Sequence, residues 1–209
     1  MKYINELLTR YPALNECREA LEQALNLMLA AYRAGGKLLA CGNGGSAADA
    51  SHIVGELMKG FLLKRPMTEE EKKRFEDALG EESALFAEKL QRGIPAIALD
   101  TASALLTAYA NDVDADLIYA QQVFGYARPG DLFLGISTSG NSRNVVNAAK
   151  TAKALGIPSI ALTGAKESAL SKLCTCTIRV PETETFKVQE LHLPVYHALC
   201  AELEAQLFS

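Results

Sequence analysis

"LLACGNGGSAADASHIVGEL", residues Leu38 to Leu57, runs from an apolar stretch through a glycine-rich turn into a helical pattern. Leu38–Cys41 reads as a short buried strand. Gly42, Asn43, Gly44, Gly45 and Ser46 form the turn, and His52 and Glu56 follow at i,i+4, on one face of the helix beyond it. A loop at the carboxyl end of a parallel strand lies where ligands bind in doubly wound sheets. The helix it opens presents free backbone N–H groups and the positive end of its dipole. Glycines admit close approach of an anion, and Ser46 adds a hydroxyl donor, so the turn predicts a phosphate site. It is neither G-x-G-x-x-G nor a P-loop, because no Gly-Lys-Ser/Thr follows.

The same order recurs outward from this unit. "IPAIALD" (Ile94–Asp100), "DLFLGIS" (Asp131–Ser137), "IPSIALTG" (Ile157–Gly164) and "CTIRVP" (Cys176–Pro181) read as strands, with helical patterns between them. Such alternation predicts an α/β fold: a doubly wound, mostly parallel five-stranded sheet flanked by helices. Residues 3–33 read as amino-terminal helices divided near Pro12 and Asn15, and 182–207 as a closing helix. One domain over 1–209 is expected, interrupted by a helical insertion at about 66–92. There Thr68 with Glu71 forms a capping box. Phe75, Leu79, Phe86 and Leu90 make an apolar stripe of a solvated insertion, expected to dock on the body, with a lid or an oligomer contact as the other reading. Glu69–Lys73, Glu70–Arg74 and Glu88–Arg92 are i,i+4 ion pairs, and Gly80 splits the stretch.

Composition limits the function classes. With 209 residues, 49% of them hydrophobic, the chain can bury one sizeable core. A formal net charge of -4 argues against a general nucleic-acid binder, whose footprint is basic. No apolar run approaches the ~18 residues of a membrane span, and the amphipathic, acid-bearing amino terminus does not read as a signal peptide. Five irregularly spaced cysteines, with Cys174 and Cys176 lacking a second pair, read as reduced thiols of a cytoplasmic protein. Cys41 and Cys200 are expected to be small buried apolar residues.

A second turn, "GISTSGNS" (Gly135–Ser142), again follows a strand and opens a helix. One serine would cap that helix. Ser137, Thr138, Ser139 and Ser142 supply more hydroxyls than a cap needs, and such neutral donors suit a metabolite phosphate that must be released. A small sugar phosphate is the expected ligand. Moving the double bond of a 2-ketose needs a base for a carbon-bound proton and an acid for the oxygen. A carboxylate and an imidazole suit those roles.

"GNGGSAADASH", "GISTSGNSRNVV", "IALTG" and "RVPETETFKVQELHLPVYH" together resemble the SIS (sugar isomerase) fold, which is flavodoxin-like, and within it the phosphoheptose isomerase family. The resemblance spans nearly the whole chain. It implies conversion of sedoheptulose 7-phosphate to D-glycero-D-manno-heptose 7-phosphate through an enediol, with Glu56 as base and His197 as acid. It implies substrate binding by Asn43, Gly44, Gly45, Ser46, Asn111, Asp112, Ser137, Thr138, Ser139, Ser142 and Gln189. It also implies a zinc site at His52, Glu56, Gln189 and His197, and a homotetramer with active sites between subunits. Whether Glu56 acts as base or as ligand stays open. His192 matches the motif without a ligand role and is expected to be an ordinary hydrogen-bonded residue. The insertion departs from the family pattern, as does "ELMKGF", where family members carry Gly-Arg at the positions of Lys59 and Gly60. The alternative is a non-catalytic SIS-type regulator, resembling a relative that associates with the bacterial replication initiator. The presence of Glu56 and His197 favours an enzyme.

Gln189 and His197 lie eight residues apart, about 12 Å along one helix, with Pro194 between them. That is long for a single metal with bonds of about 2 Å. A site completed by a neighbouring subunit is therefore expected, with Glu56 and His197 open to being supplied by different chains.

Overall fold

The computed structural model describes residues 1–208. Helix α1 (Lys2–Arg10), a 3-10 turn (Pro12–Cys17) and helix α2 (Arg18–Arg33) precede the sheet. Pro12 sits at the start of the 3-10 turn, and the Asn15 amide donates to the Pro12 and Leu8 carbonyls. The break therefore falls where the sequence puts it. Strand β1 (Leu38–Cys41) feeds helix α3 (Gly45–Met58). After the insertion come β2 (Ala96–Ala98), then β3 (Leu132–Ile136), β4 (Ser159–Thr163) and β5 (Cys176–Arg179).

The five strands are all parallel, in the order β2-β1-β3-β4-β5. Ala40 pairs with Leu134, Leu134 with Ile160, and Ile160 with Cys176. The strand order reverses between β1 and β3, which is the switch point where doubly wound sheets bind ligands. Both serine-bearing turns follow these two strands.

Alternate residues on each strand serve opposite layers, as the strand period requires. Leu38 and Ala40 face a core shared with α1, α2, α3 and the closing helix. Leu39 and Cys41 face the other layer, with Phe133, Val145 and Tyr119. Cys41 and Cys200 are buried, and burial raises both thiols, Cys200 to about 12.

The insertion folds as α4 (Glu69–Leu79) and α5 (Ser83–Lys89), joined through Gly80. The Thr68–Glu71 capping box forms as expected. The apolar stripe does not dock on the body. Phe75 packs on Phe86, ring centroids 5.7 Å apart, and Leu79, Leu85 and Leu90 are 41–61% exposed. The two helices pack against each other and neither contains a buried residue, so one ring pair takes the place of a core contact. Glu70 pairs with Arg74, but Glu69 takes Lys72 and Glu88 takes Lys89. Arg92 is drawn away to the Pro66 carbonyl.

Helix α6 (Ser103–Tyr109), a π-helical turn (Ala110–Asp114), α7 (Ile118–Tyr126), α8 (Arg143–Ala154) and α9 (Ala169–Leu173) complete the connections. Helix α10 (Thr185–Phe208) runs continuously through Pro194 and lies against α3. No helix among the described residues is long and apolar enough to cross a membrane.

Candidate active site

The two serine turns are tied together. Asn43 Nδ2 donates to Asn144 Oδ1 at 2.8 Å, and Asn144 Nδ2 returns a bond to Asn43 Oδ1 at 2.9 Å. Tyr119 donates to the Gly42 carbonyl at 2.6 Å from below the first turn. In the second turn Ser142 occupies the N-cap of α8 without making a side-chain cap. Its hydroxyl instead meets Ser137 Oγ at 3.0 Å, and Ser137 meets Ser139 at 3.5 Å. The extra hydroxyls therefore form a cluster rather than a cap. Gly140 (φ +65°) turns the chain here, and a Cβ on it would come 2.1 Å from Ser168 Oγ. Ser46 is buried at the start of α3, and Thr138 is half-buried, its carbonyl accepting from Gly164 N at 3.0 Å.

Gln189 reaches the first turn. A Cβ on Gly45 would lie 2.5 Å from its Nε2, so the amide rests directly over the glycine. Gly44 stands exposed beside it. Asn111 and Asp112 fall on the exposed π-helical turn and bond to each other at 2.8 Å rather than to either serine turn.

Farther along α3 lies a second cluster. His52 Nε2 is 3.2 Å from Glu56 Oε1 and 3.5 Å from His197 Nε2. The two histidine rings meet edge to face, their centroids 4.9 Å apart. His52 Nδ1 meets the Tyr196 hydroxyl at 3.0 Å, and Tyr196 donates to Asp49 Oδ1 at 3.3 Å. The Tyr196 hydroxyl thus bridges Asp49 and His52 Nδ1, while His52 Nε2 faces Glu56 and His197. Lys59 Nζ holds the other Glu56 oxygen at 3.0 Å. Burial pushes His197 below the ordinary histidine value, and His52 adds to this while Glu56 opposes it. Burial raises the Asp49 carboxyl against the pull of Tyr196 and His52.

One chain thus brings Glu56 and His197 together around His52, so these two do not need different subunits. Gln189 does not join them. It sits at Gly45, seven residues or about 10 Å along α3 from His52. Among the described residues no three His, Cys, Asp or Glu side chains are placed to hold a metal ion. Of the four residues expected to hold zinc, His52, Glu56 and His197 lie together and Gln189 lies apart.

His192 departs from expectation. It is fully buried, and neither ring nitrogen makes a well-formed hydrogen bond. Burial drives its pKa down to about 4, with the Thr163 backbone pulling the other way.

Several groups were not singled out from the sequence. Tyr196 and Asp49 orient His52, and Asn144 and Tyr119 brace the first turn. Asp49 lies three residues before His52, on the same face of α3, and that spacing was a readable signal. Arg65 and Glu204 form a fully buried ion pair behind Glu56. A glutamate within the apolar run "ALCAELEAQLF" marked one half of it.

Family models for the SIS domain match residues 2–92 and 94–206. A phosphoheptose isomerase of Crocosphaera subtropica is 41% identical over 92% of this chain and 85% of its own length. One from Rhodospirillum rubrum is 38% identical over 94% and 90%. A phosphoheptose isomerase structure from Neisseria gonorrhoeae superposes with a TM-score of 0.73 at 32% identity, covering 96% of both chains. One from Francisella tularensis gives 0.76 at 29% identity, over 98% of this chain and 95% of the other. Taken with two serine turns at the sheet's switch point and a histidine–glutamate cluster between α3 and α10, this likeness means that the chain belongs to the SIS-domain family, in its phosphoheptose isomerase branch.

Proposed function

We propose that this protein is an aldose–ketose isomerase that converts sedoheptulose 7-phosphate to D-glycero-D-manno-heptose 7-phosphate. The observation that carries the reading is the pairing of a neutral-donor phosphate cradle with a carboxylate and an imidazole on α3 that meet a second imidazole on α10. The serine hydroxyls and the starts of α3 and α8 bind the phosphate. Glu56 takes a proton from C1 while His197 gives one to the C2 carbonyl oxygen, which yields the enediol. Returning a proton to C2 as the O1 proton leaves produces the aldehyde at C1.

Burial lowers the His197 pKa, and its ring is the acid that gives a proton to the substrate oxygen. His52 is oriented by Tyr196 and holds Glu56 and His197 in register. Lys59, at a position where family members commonly have glycine, offers a cation at the Glu56 carboxylate.

The site is composite in this reading. The cradle with Gln189 and the cluster around His52 are two partly exposed patches about 10 Å apart along α3. The cradle of one chain serves the His52–Glu56–His197 cluster of a neighbour, in a tetramer as the family likeness implies. Gln189 then approaches the cluster only across an interface. Zinc enters only as an ion shared in that way, and no chemical step here runs through it. Metal analysis of the assembled protein and of Gln189→Ala tests that point.

The substrate test is direct. The protein is incubated with a panel of ketose phosphates of five to seven carbons, and aldose formation is followed. Aldose from the seven-carbon substrate supports the reading, and absence of turnover across the panel removes it.

A further inference from the structure

Glu204 is fully buried on α10, and the loop after α3 is wound around its carboxylate. It accepts from the backbone N–H groups of Phe61 (2.8 Å), Leu62 (2.7 Å) and Leu63 (2.9 Å), and from Arg65 Nε at 2.7 Å. Arg65 is 1% exposed and donates onward, from Nη1 to the Leu57 carbonyl at 2.7 Å and from Nη2 to the Glu56 carbonyl at 3.3 Å. These carbonyls belong to the last turn of α3, where a helix leaves acceptors unpaired and favours a cation. One ion pair therefore ends the helix that carries Glu56 and shapes the loop that follows.

That loop feeds the acid–base cluster from two sides. Lys59 reaches Glu56 Oε2, and the Phe61 ring lies 5.6 Å from the His197 ring. Phe208 closes over the Arg65 guanidinium at 4.9 Å. Stability alone is a poor account of the pair. Apolar residues of similar volume are often as stable as a buried ion pair, because desolvation offsets the attraction. A carboxylate with four donors and an arginine forked onto two helix carbonyls suit a demand for fixed geometry.

We propose that Arg65 and Glu204 are positioning residues of the isomerase, fixing the end of α3 and the 59–65 loop so that Glu56 and His197 keep their arrangement around His52. The proposal rests on the reading of Glu56 as the base.

Arg65→Lys keeps a cation for Glu204 but loses the fork onto the two carbonyls. Glu204→Gln keeps the shape of the nest without its charge. Turnover and KM for sedoheptulose 7-phosphate are measured for both well below each variant's Tm, beside Glu56→Gln. The expected result is a kcat lower by about 10- to 100-fold with KM within about twofold, since a small misplacement acts on chemistry rather than on the distant phosphate cradle. Arg65→Lys is expected to be the milder variant, and if Glu204→Gln does not fold, Arg65→Lys carries the test. Wild-type kcat in the folded variants, with only Tm reduced, would assign the pair to stability and overturn the proposal. Wild-type turnover in Glu56→Gln would instead remove the base reading, and the proposal with it.

Discussion

Asn43 and Asn144, 101 residues apart, exchange two side-chain hydrogen bonds and lock the first serine turn to the second. The pair lies between β1 and β3, where the strand order reverses. Asn144 also accepts from Val145 N at 2.9 Å, so its amide is fixed from both sides. Asn144→Ala removes both bonds and frees one turn from the other. The expected outcome is a raised KM with little change in kcat, by about 0.5–1.5 kcal/mol for each neutral bond lost. Steady-state kinetics check this, and an unchanged KM would mean that the turns hold their shape independently.

Ser139 tests the cradle itself. It is exposed, touches Ser137 Oγ at 3.5 Å and takes one bond from Asn141 N at 3.2 Å. Ser139→Ala is expected to raise KM by a similar 0.5–1.5 kcal/mol and to leave Tm nearly unchanged. A co-crystal with sugar phosphate bound away from both turns would contradict the assignment.

His192 sets a pH dependence of stability. Its folded pKa of about 4 lies below the ordinary histidine value near 6.5, so the unfolded chain binds the extra proton between these values. The contribution is complete above about pH 6.5 and is lost as the pH falls toward 4. Between pH 6.5 and 5 the loss amounts to up to about 2 kcal/mol. Tm measured against pH should fall more steeply over this window for the wild type than for His192→Gln. Parallel curves would show that His192 does not carry the effect.

Subunit sharing has its own test. Because Glu56 and His197 meet within one chain, mixing variants of those two residues cannot restore a site. Mixing Glu56→Gln with Ser137→Ala/Ser139→Ala can, since cradle and cluster come from different chains in a composite site. After subunit exchange, turnover at low substrate above the sum of the two separate variants is expected. No recovery, with exchange verified, would place the whole site in one chain.

Much of this architecture was legible in the sequence. Each strand is a short apolar run ended by a turn, and Gly-Asn-Gly-Gly-Ser and Ser-Thr-Ser-Gly-Asn-Ser mark the two turns at the sheet's switch point. The His52–Glu56 pair follows from helical spacing, and the capping box at Thr68 formed as read. Other features depend on distant partners. Arg65 and Glu204 are 139 residues apart, and neither has a local pattern that names the other. The insertion's apolar residues show helical spacing, which fixes a common face but not what that face meets. Phe75 met Phe86 instead of the body. His197 reached His52 because α10 lies along α3, a relation of layers that spacing within α10 does not contain.

The central claim is that Glu56 moves the carbon-bound proton. Glu56→Gln keeps the shape of the side chain and removes its basicity. The decisive measurement is its kcat on sedoheptulose 7-phosphate, with fold and assembly verified. The account predicts a loss of about 10²–10⁴-fold, and turnover equal to the wild type would contradict it.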